Sequence, residues 1–214
     1  MTAPPTSSPV ARRARAPRGE GERLREEILA ATEKLLLTTG DESAVSIRAI
    51  ADAVGVSPPS IYLHFADKDE LIHSVCQAQF RKLDVVVAES TAGVEDPLER
   101  LRGRGQAYVR FGVAHPEHYR VMLMGKGQFS QADFEAGLLP GMRSFQSLVE
   151  NVQECMDRGV FAVDDPFRVA TILWATVHGL TSLLISVPGF PTFQEPDSIV
   201  DQMLDTVARG LAPS

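Results

Sequence analysis

Apolar residues recur at steps of three and four along almost the whole chain, and strand-like alternation is nearly missing, so the pattern predicts an all-α protein. The short Val85-Val86-Val87 run lies inside a longer helical stretch. Leu24, Ile28, Ala31 and Leu35 share one face of a first helix, and Gly40 can stop it in the left-handed conformation. Ser46 can cap a short second helix that buries Ile47, Ile50, Ala51 and Val54 and ends at Gly55. Only Val56 and Ser57 separate it from the next helical start. Asp67 opens a longer helix that runs to about Glu89, with Glu70 placed for a capping-box-like arrangement. Asp96-Pro97 and Asp165-Pro166 each set a capping carboxylate before a proline at the first helical position, and His115-Pro116 and Glu195-Pro196-Asp197 mark further starts. Helices are therefore expected near 97–114, 117–124, 131–157, 166–187 and 197–210, with a linker from Thr91 to Glu95.

The chain has 214 residues, 44% of them apolar and 23% charged, the balance of a globular protein with a real core. Cys76 and Cys155 stand far apart with no CxxC or Cys/His cluster, which suggests neither a zinc site nor a disulfide framework and points to a reducing cytoplasm. The first twenty residues carry Arg12, Arg13, Arg15 and Arg18 among prolines and serines, with no apolar run for a signal peptide. They are read as a disordered basic arm; a transit peptide is set aside because no amphipathic repeat accompanies the arginines. The uncharged run Val169–Val187 is interrupted by threonines, serines and His178 and ended by Pro188, so a helix buried in protein is expected rather than one in lipid.

A net charge of −7 hides an asymmetry: residues 1–82 hold 11 basic and 11 acidic side chains, whereas residues 83–214 hold 10 and 17. The acidity belongs to the second part. Within the first 25 residues six arginines outweigh Glu20 and Glu22, enough to favour a phosphate backbone locally, although a solubilising tail has the same composition.

Ser46 to Phe65, SIRAIADAVGVSPPSIYLHF, has the ingredients of a helix-turn-helix. Ala51 is small where two helices cross, Gly55 supplies the turn, and Ile61 returns an aliphatic side chain to the shared core. Ser57 is placed as the cap of the third helix, but Pro58 and Pro59 lack an amide hydrogen, so its expected capping partner is the amide of Ser60. Few backbone donors remain for phosphate, which leaves Ser57, Ser60, Tyr62 and His64 as polar groups on or beside the exposed face. Pro58, Pro59 or Leu63 can meet thymine methyl groups; Leu63 can equally be a packing residue.

The run from Val45 to Ile72, with IRAIADAVGVSPPSIYLHFADKDELI, resembles the N-terminal module of the TetR/AcrR family of bacterial transcriptional regulators. The resemblance implies a three-helix DNA-binding head joined by a long helix to a helical body that dimerises and binds a small effector. On it, residues 1–20 are the arm, 21–66 the head, 67–90 the connecting helix and 91–214 the ligand-binding and dimerisation body. Tyr62 and His64 resemble the family's backbone contacts, and Lys68, whose charge opposes the macrodipole at a helix start, becomes a phosphate contact. Ser46 and Arg48 rank second as backbone contacts. Trp174-Ala-Thr-Val-His178-Gly179 is similar to the signature of a WHG-type C-terminal subgroup.

In the body, Ile172, Thr176, Leu180, Leu183 and Leu184, with Met203 and Val207 of the last helix, form broad apolar faces that a second copy or an intramolecular core can cover, and the resemblance implies that they are the dimer interface of an intersubunit four-helix bundle. Tyr108, Phe111, Met122, Phe129, Phe145, Trp174 and His178, with Met124 and Phe134 nearby, suit an apolar ligand cavity, although each also reads as plain core. His115-Pro-Glu-His118 has a helix-breaking proline and no third ligand, so no metal or other cofactor is expected. HExxH and GxSxG are absent, and no nucleophile constellation suggests an enzyme. The expected protein is a homodimeric repressor released from a double-stranded inverted-repeat operator by a small apolar effector, with an effector-free DNA-binding structural factor as the alternative.

Overall fold

The computed structural model describes residues 20–124, 139–187 and 196–212, and among them every regular element is helical. The chain divides into a head, Met1–Cys76, and a body, Gln77–Ser214. The basic arm lies outside the described residues.

In the head, α1 (Glu20–Thr39) is followed by a 3-10 turn at Glu42–Ala44, α2 (Ile47–Val54) and α3 (Pro58–Ile61). The buried face of α1 is Ile28, Thr32 and Leu36, one step round from the expected Leu24, Ala31 and Leu35, which are half-buried. Thr32 tolerates the core because its hydroxyl donates to the Ile28 carbonyl at 2.8 Å. Ser46 caps α2 as expected, accepting from the Ala49 amide at 3.1 Å, and Gly55 closes it at φ 77°. The long helix α4 (Lys68–Ser90) starts with Asp67 accepting from the Glu70 amide at 2.8 Å. The Glu70 carboxylate reaches back to the Ala66 amide, one residue beyond the usual capping-box partner. The head extends past the expected boundary at 66 because the first turns of α4 bury Leu71, Ile72 and Val75.

The body is organised by α5 (Pro97–Ala114), which packs against α7 (Met142–Asp157), α8 (Pro166–Ser186) and α9 (Pro196–Leu211). Asp96 and Asp165 cap α5 and α8 as their Asp-Pro pairs predict. The helix expected at 117–124 is one α-turn, α6 (Pro116–Tyr119), continued as a π-turn at Arg120–Met124. The helix expected at 131–157 is broken: residues 139–141 form a turn around Pro140, and α7 starts only at Met142. Leu101 of α5 packs with Val152 and Cys155 of α7, Val169 and Leu173 of α8 and Leu204 of α9. Cys76 and Cys155 are buried, and burial pushes their thiols up to about 11 and about 12.

The approach of α5 to α8 is set at Gly112. A Cβ there would lie 2.3 Å from Thr181 Cγ2 and 2.9 Å from Tyr119 Cδ2, inside the van der Waals limit of two well-packed side chains. Gly112→Ala is therefore expected to destabilise the protein by about 1–3 kcal/mol, read as a lower denaturation midpoint at unchanged slope.

Candidate functional site

Part of the exposed surface of the head is made by the short α3 and the turn that follows it. Ile61 and Phe65, one turn apart, are buried and fix its orientation. Pro58 and Pro59 face outward, with Tyr62 at 54% and Leu63 at 83% exposure, so Leu63 is no packing residue. The expected cap is different from the observed one. The Ser60 amide donates to the Ser57 carbonyl at 2.8 Å, and with that donor taken the Ser57 hydroxyl pairs instead with the Ser60 hydroxyl at 2.9 Å. Ser46 and Arg48 at the start of α2 are exposed, and His64 is half-buried beside Gly21 of α1. Lys68 Nζ donates to the Glu42 carbonyl at 2.8 Å, which ties the start of α4 to the 3-10 turn and leaves two further ammonium hydrogens. Arg25, which sequence reasoning passed over, stacks its guanidinium 4.8 Å above the Phe65 ring.

In the body the structure joins several expected ligand residues through one that was missed. Tyr119 is buried in the hinge between α6 and the π-turn, and its hydroxyl lies 2.6 Å from His178 Nδ1 and 3.0 Å from the Tyr108 hydroxyl. Trp174 Nε1 lies 3.3 Å from the same Tyr108 oxygen. An indole nitrogen can only donate, so Tyr108 accepts from Trp174, and the linked Tyr108 and Tyr119 hydroxyls end at His178 Nδ1, which accepts from Tyr119 when that nitrogen carries no proton. Burial raises both phenol pKa values and lowers that of the imidazole. Phe145 packs edge-on to Trp174 with ring centroids 6.0 Å apart. Phe111 and Met122 belong to a neighbouring cluster with Phe80 and Leu83, against which Tyr108 also packs. Phe129 and Phe134 lie outside the described residues.

Residues 28–75 match the family described as "Bacterial regulatory proteins, tetR family", and residues 101–207 match "Tetracyclin repressor-like, C-terminal domain". The chain belongs to the TetR family. It is 25% identical over 169 residues to the "Probable acrEF/envCD operon repressor" of Escherichia coli K12, a match covering 76% of this chain and 77% of that one. A solved protein of unknown function from Rhodococcus sp. RHA1 superposes with a TM-score of 0.70 at 28% identity, over 89% of this chain and 96% of that one. A regulatory protein in the tetR family from Rhodococcus RHA1 gives 0.64 at 17% identity, over 90% and 98%.

The TetR-type body places most of the expected interface residues on accessible surface, with one correction. Ile172 and Leu183 are 47% and 51% exposed, whereas Leu180 is 4% exposed and packs inside the chain against Val109 and Val200. A helix turns 100° per residue, so residues 172, 176, 179 and 183 fall within about 60° of one another, and Leu180 lies at the edge of that face, about 80° from Ile172 and turned toward the core. Thr176, Met203 and Val207, with Ile199, line an open groove between α8 and α9, and Leu184 is half-buried beside it. The α8 helix is long and apolar enough to cross a membrane, and 33% of its most apolar window is buried within this chain.

His178 gives this TetR body a pH signature. Burial holds its folded pKa below the ordinary 6.5, so the unfolded chain binds the proton more readily and stability falls as pH drops below that value. The thermal midpoint of the wild type is expected to fall between about pH 7.5 and about pH 5.5 more steeply than that of His178→Gln, which can still accept from Tyr119 but does not titrate. Equal slopes would assign the pH dependence elsewhere.

Proposed function

We propose that this TetR-family regulator is a repressor that acts as a homodimer on an inverted-repeat operator and is released by a small, largely apolar effector held in the body. The observation that carries DNA binding is the outward face of α3 and the turn after it: Pro58 and Pro59 of the helix and Tyr62 and Leu63 of the turn are exposed, while Ile61 and Phe65 anchor the segment in the core. Tyr62, His64, Lys68, Ser46 and Arg48 serve as phosphate contacts, Ser57 and Ser60 as polar base readers, and Pro58, Pro59 and Leu63 meet thymine methyl groups. Likeness to a named operon repressor over 76% of this chain supports repression.

The exposed α8 stripe of Ile172, Thr176 and Leu183 and the groove beside it support dimerisation through α8 and α9, which covers apolar surface that the chain leaves open. Threonine and glycine within that stripe favour a second copy over lipid. Two symmetric heads then read half-sites spaced by about one helical turn or more. The effector acts by binding more tightly to the state that cannot hold DNA, with a coupling of about 1–3 kcal/mol. The division between head and body falls inside α4, which makes α4 the lever.

Two variants test the parts separately. Lys68→Gln keeps a donor for the Glu42 carbonyl and loses the charge, so it is expected to weaken binding to all DNA sequences alike and to reduce the salt slope by about 0.9. An unchanged slope removes Lys68 from the contacts. Leu183→Glu places a charge on exposed surface, so the chain is expected to stay folded by circular dichroism and to sediment as a monomer; a dimer of unchanged strength would move the interface elsewhere.

A further inference from the structure

The DNA contacts assigned to the head leave out the densest positive charge of the sequence. Arg12, Arg13, Arg15 and Arg18 fall within seven residues, and residues 1–19 hold no acidic side chain. Such a block attracts polyanions, and no charge within it offsets the attraction. A solubilising tail has the same composition, so the place where the run joins the fold decides between the two.

The first helix, α1, begins at Glu20, two residues after Arg18. Its first turn lies against the turn that follows α3: a Cβ on Gly21 would stand 3.9 Å from His64 Cε1, an ordinary van der Waals distance. One turn further along α1, the Arg25 guanidinium lies 4.8 Å over the Phe65 ring. Both contacts join α1 to the segment that carries exposed Tyr62 and Leu63. The chain therefore enters α1 beside the turn assigned to DNA. Within α1 the arginines are engaged by the head itself, Arg25 on Phe65 and Arg23 with Glu27 at 3.3 Å. Eight residues separate Arg12 from Glu20, a reach of at most about 26–29 Å, and one turn of duplex is about 34 Å. Pro58 and Pro59 remove backbone donors from the start of α3 and leave phosphate to side chains, which an arginine run at this entry point supplies.

We propose that Arg12, Arg13, Arg15 and Arg18 hold the phosphate backbone of the duplex flanking each half-site, within about one helical turn of the phosphates at His64. This rests on the DNA-binding reading of the head and extends it from the helices to the run that precedes them. The run recognises charge and not bases, so it raises affinity for every sequence and adds to the salt dependence.

The full-length protein selects duplexes from a random-sequence pool of about 40 bp, room for two half-sites and their flanks. Binding to a selected duplex and to an unrelated one is then measured from about 50 to about 200 mM salt. The fourfold variant Arg12→Gln, Arg13→Gln, Arg15→Gln, Arg18→Gln is expected to lower the salt slope by about 2–4 per protomer, at about 0.9 per phosphate. It is expected to weaken both duplexes at least about tenfold at about 0.1 M salt. Arg→Lys at the same four positions is expected to keep most of the slope, because counterion release counts charges and not guanidinium forks. Ethylation of phosphates flanking the selected site is expected to impair binding by the wild type and not by the Gln variant. An unchanged slope in a Gln variant of native helicity leaves a solubilising tail and overturns the proposal. A slope lost equally in the Lys variant, or an interference pattern without flanking phosphates, overturns it as well. None of these failures touches the DNA-binding reading while the wild type selects a duplex and Lys68→Gln lowers its slope; a wild type that selects no duplex overturns that reading and this proposal with it.

Discussion

The body depends on the contact of α5 with α8 at Gly112, where the missing side chain lets Thr181 and the Tyr119 ring close against the helix backbone. Only with that approach can a tyrosine from α6 sit between α5 and α8 and reach His178 on one side and Tyr108 on the other. Buried hydroxyls are costly when unpaired, and this chain of donors leaves none of the three polar links open. The Trp174 indole donates at one end, and at the other end burial favours the neutral form of the His178 imidazole. The close approach at Gly112 thus brings Tyr119 within hydrogen-bonding reach of His178 on α8.

In the head the corresponding constraint is the Pro58-Pro59 pair. Two residues without amide hydrogens open α3, and the Ser60 amide is satisfied locally by the Ser57 carbonyl. The start of this helix therefore offers phosphate very little of the backbone hydrogen bonding that helix N-termini commonly supply. Outward contact passes to side chains, and those that project furthest are a phenol and an aliphatic group. Recognition by van der Waals fit to base methyl groups follows from that chemistry more readily than recognition by amide donors.

Element starts were legible because their signals are local: Asp96-Pro97 and Asp165-Pro166 place α5 and α8 to the residue. The break before α7 was carried by Pro140-Gly141 and could have been found by giving that pair its weight as a turn signal. Tyr119 was not legible, since its partners Tyr108 and His178 share no helical period with it. Leu180 was misplaced because α8 is apolar on every side, and periodicity cannot choose a face when all faces look alike. Gly112 carried no sequence signal either; its meaning exists only once α8 is beside it.

The same all-round apolarity explains how α8 can serve two purposes. Its face bearing Val169, Leu173, Leu180 and Thr181 closes the core on α5 and α7, while Ile172 and Leu183 stay open. Charges near that open face are paired within the chain: Arg102 and Arg110 of α5 with Asp205 and Asp197 of α9, and Arg168 of α8 with Asp164. An apolar stripe bordered by internally paired charges presents little electrostatic repulsion to a copy of itself, despite the excess of 17 acidic over 10 basic residues between 83 and 214. That excess repels phosphate as well, so the net charge of residues 83–214 works against DNA contact by the body.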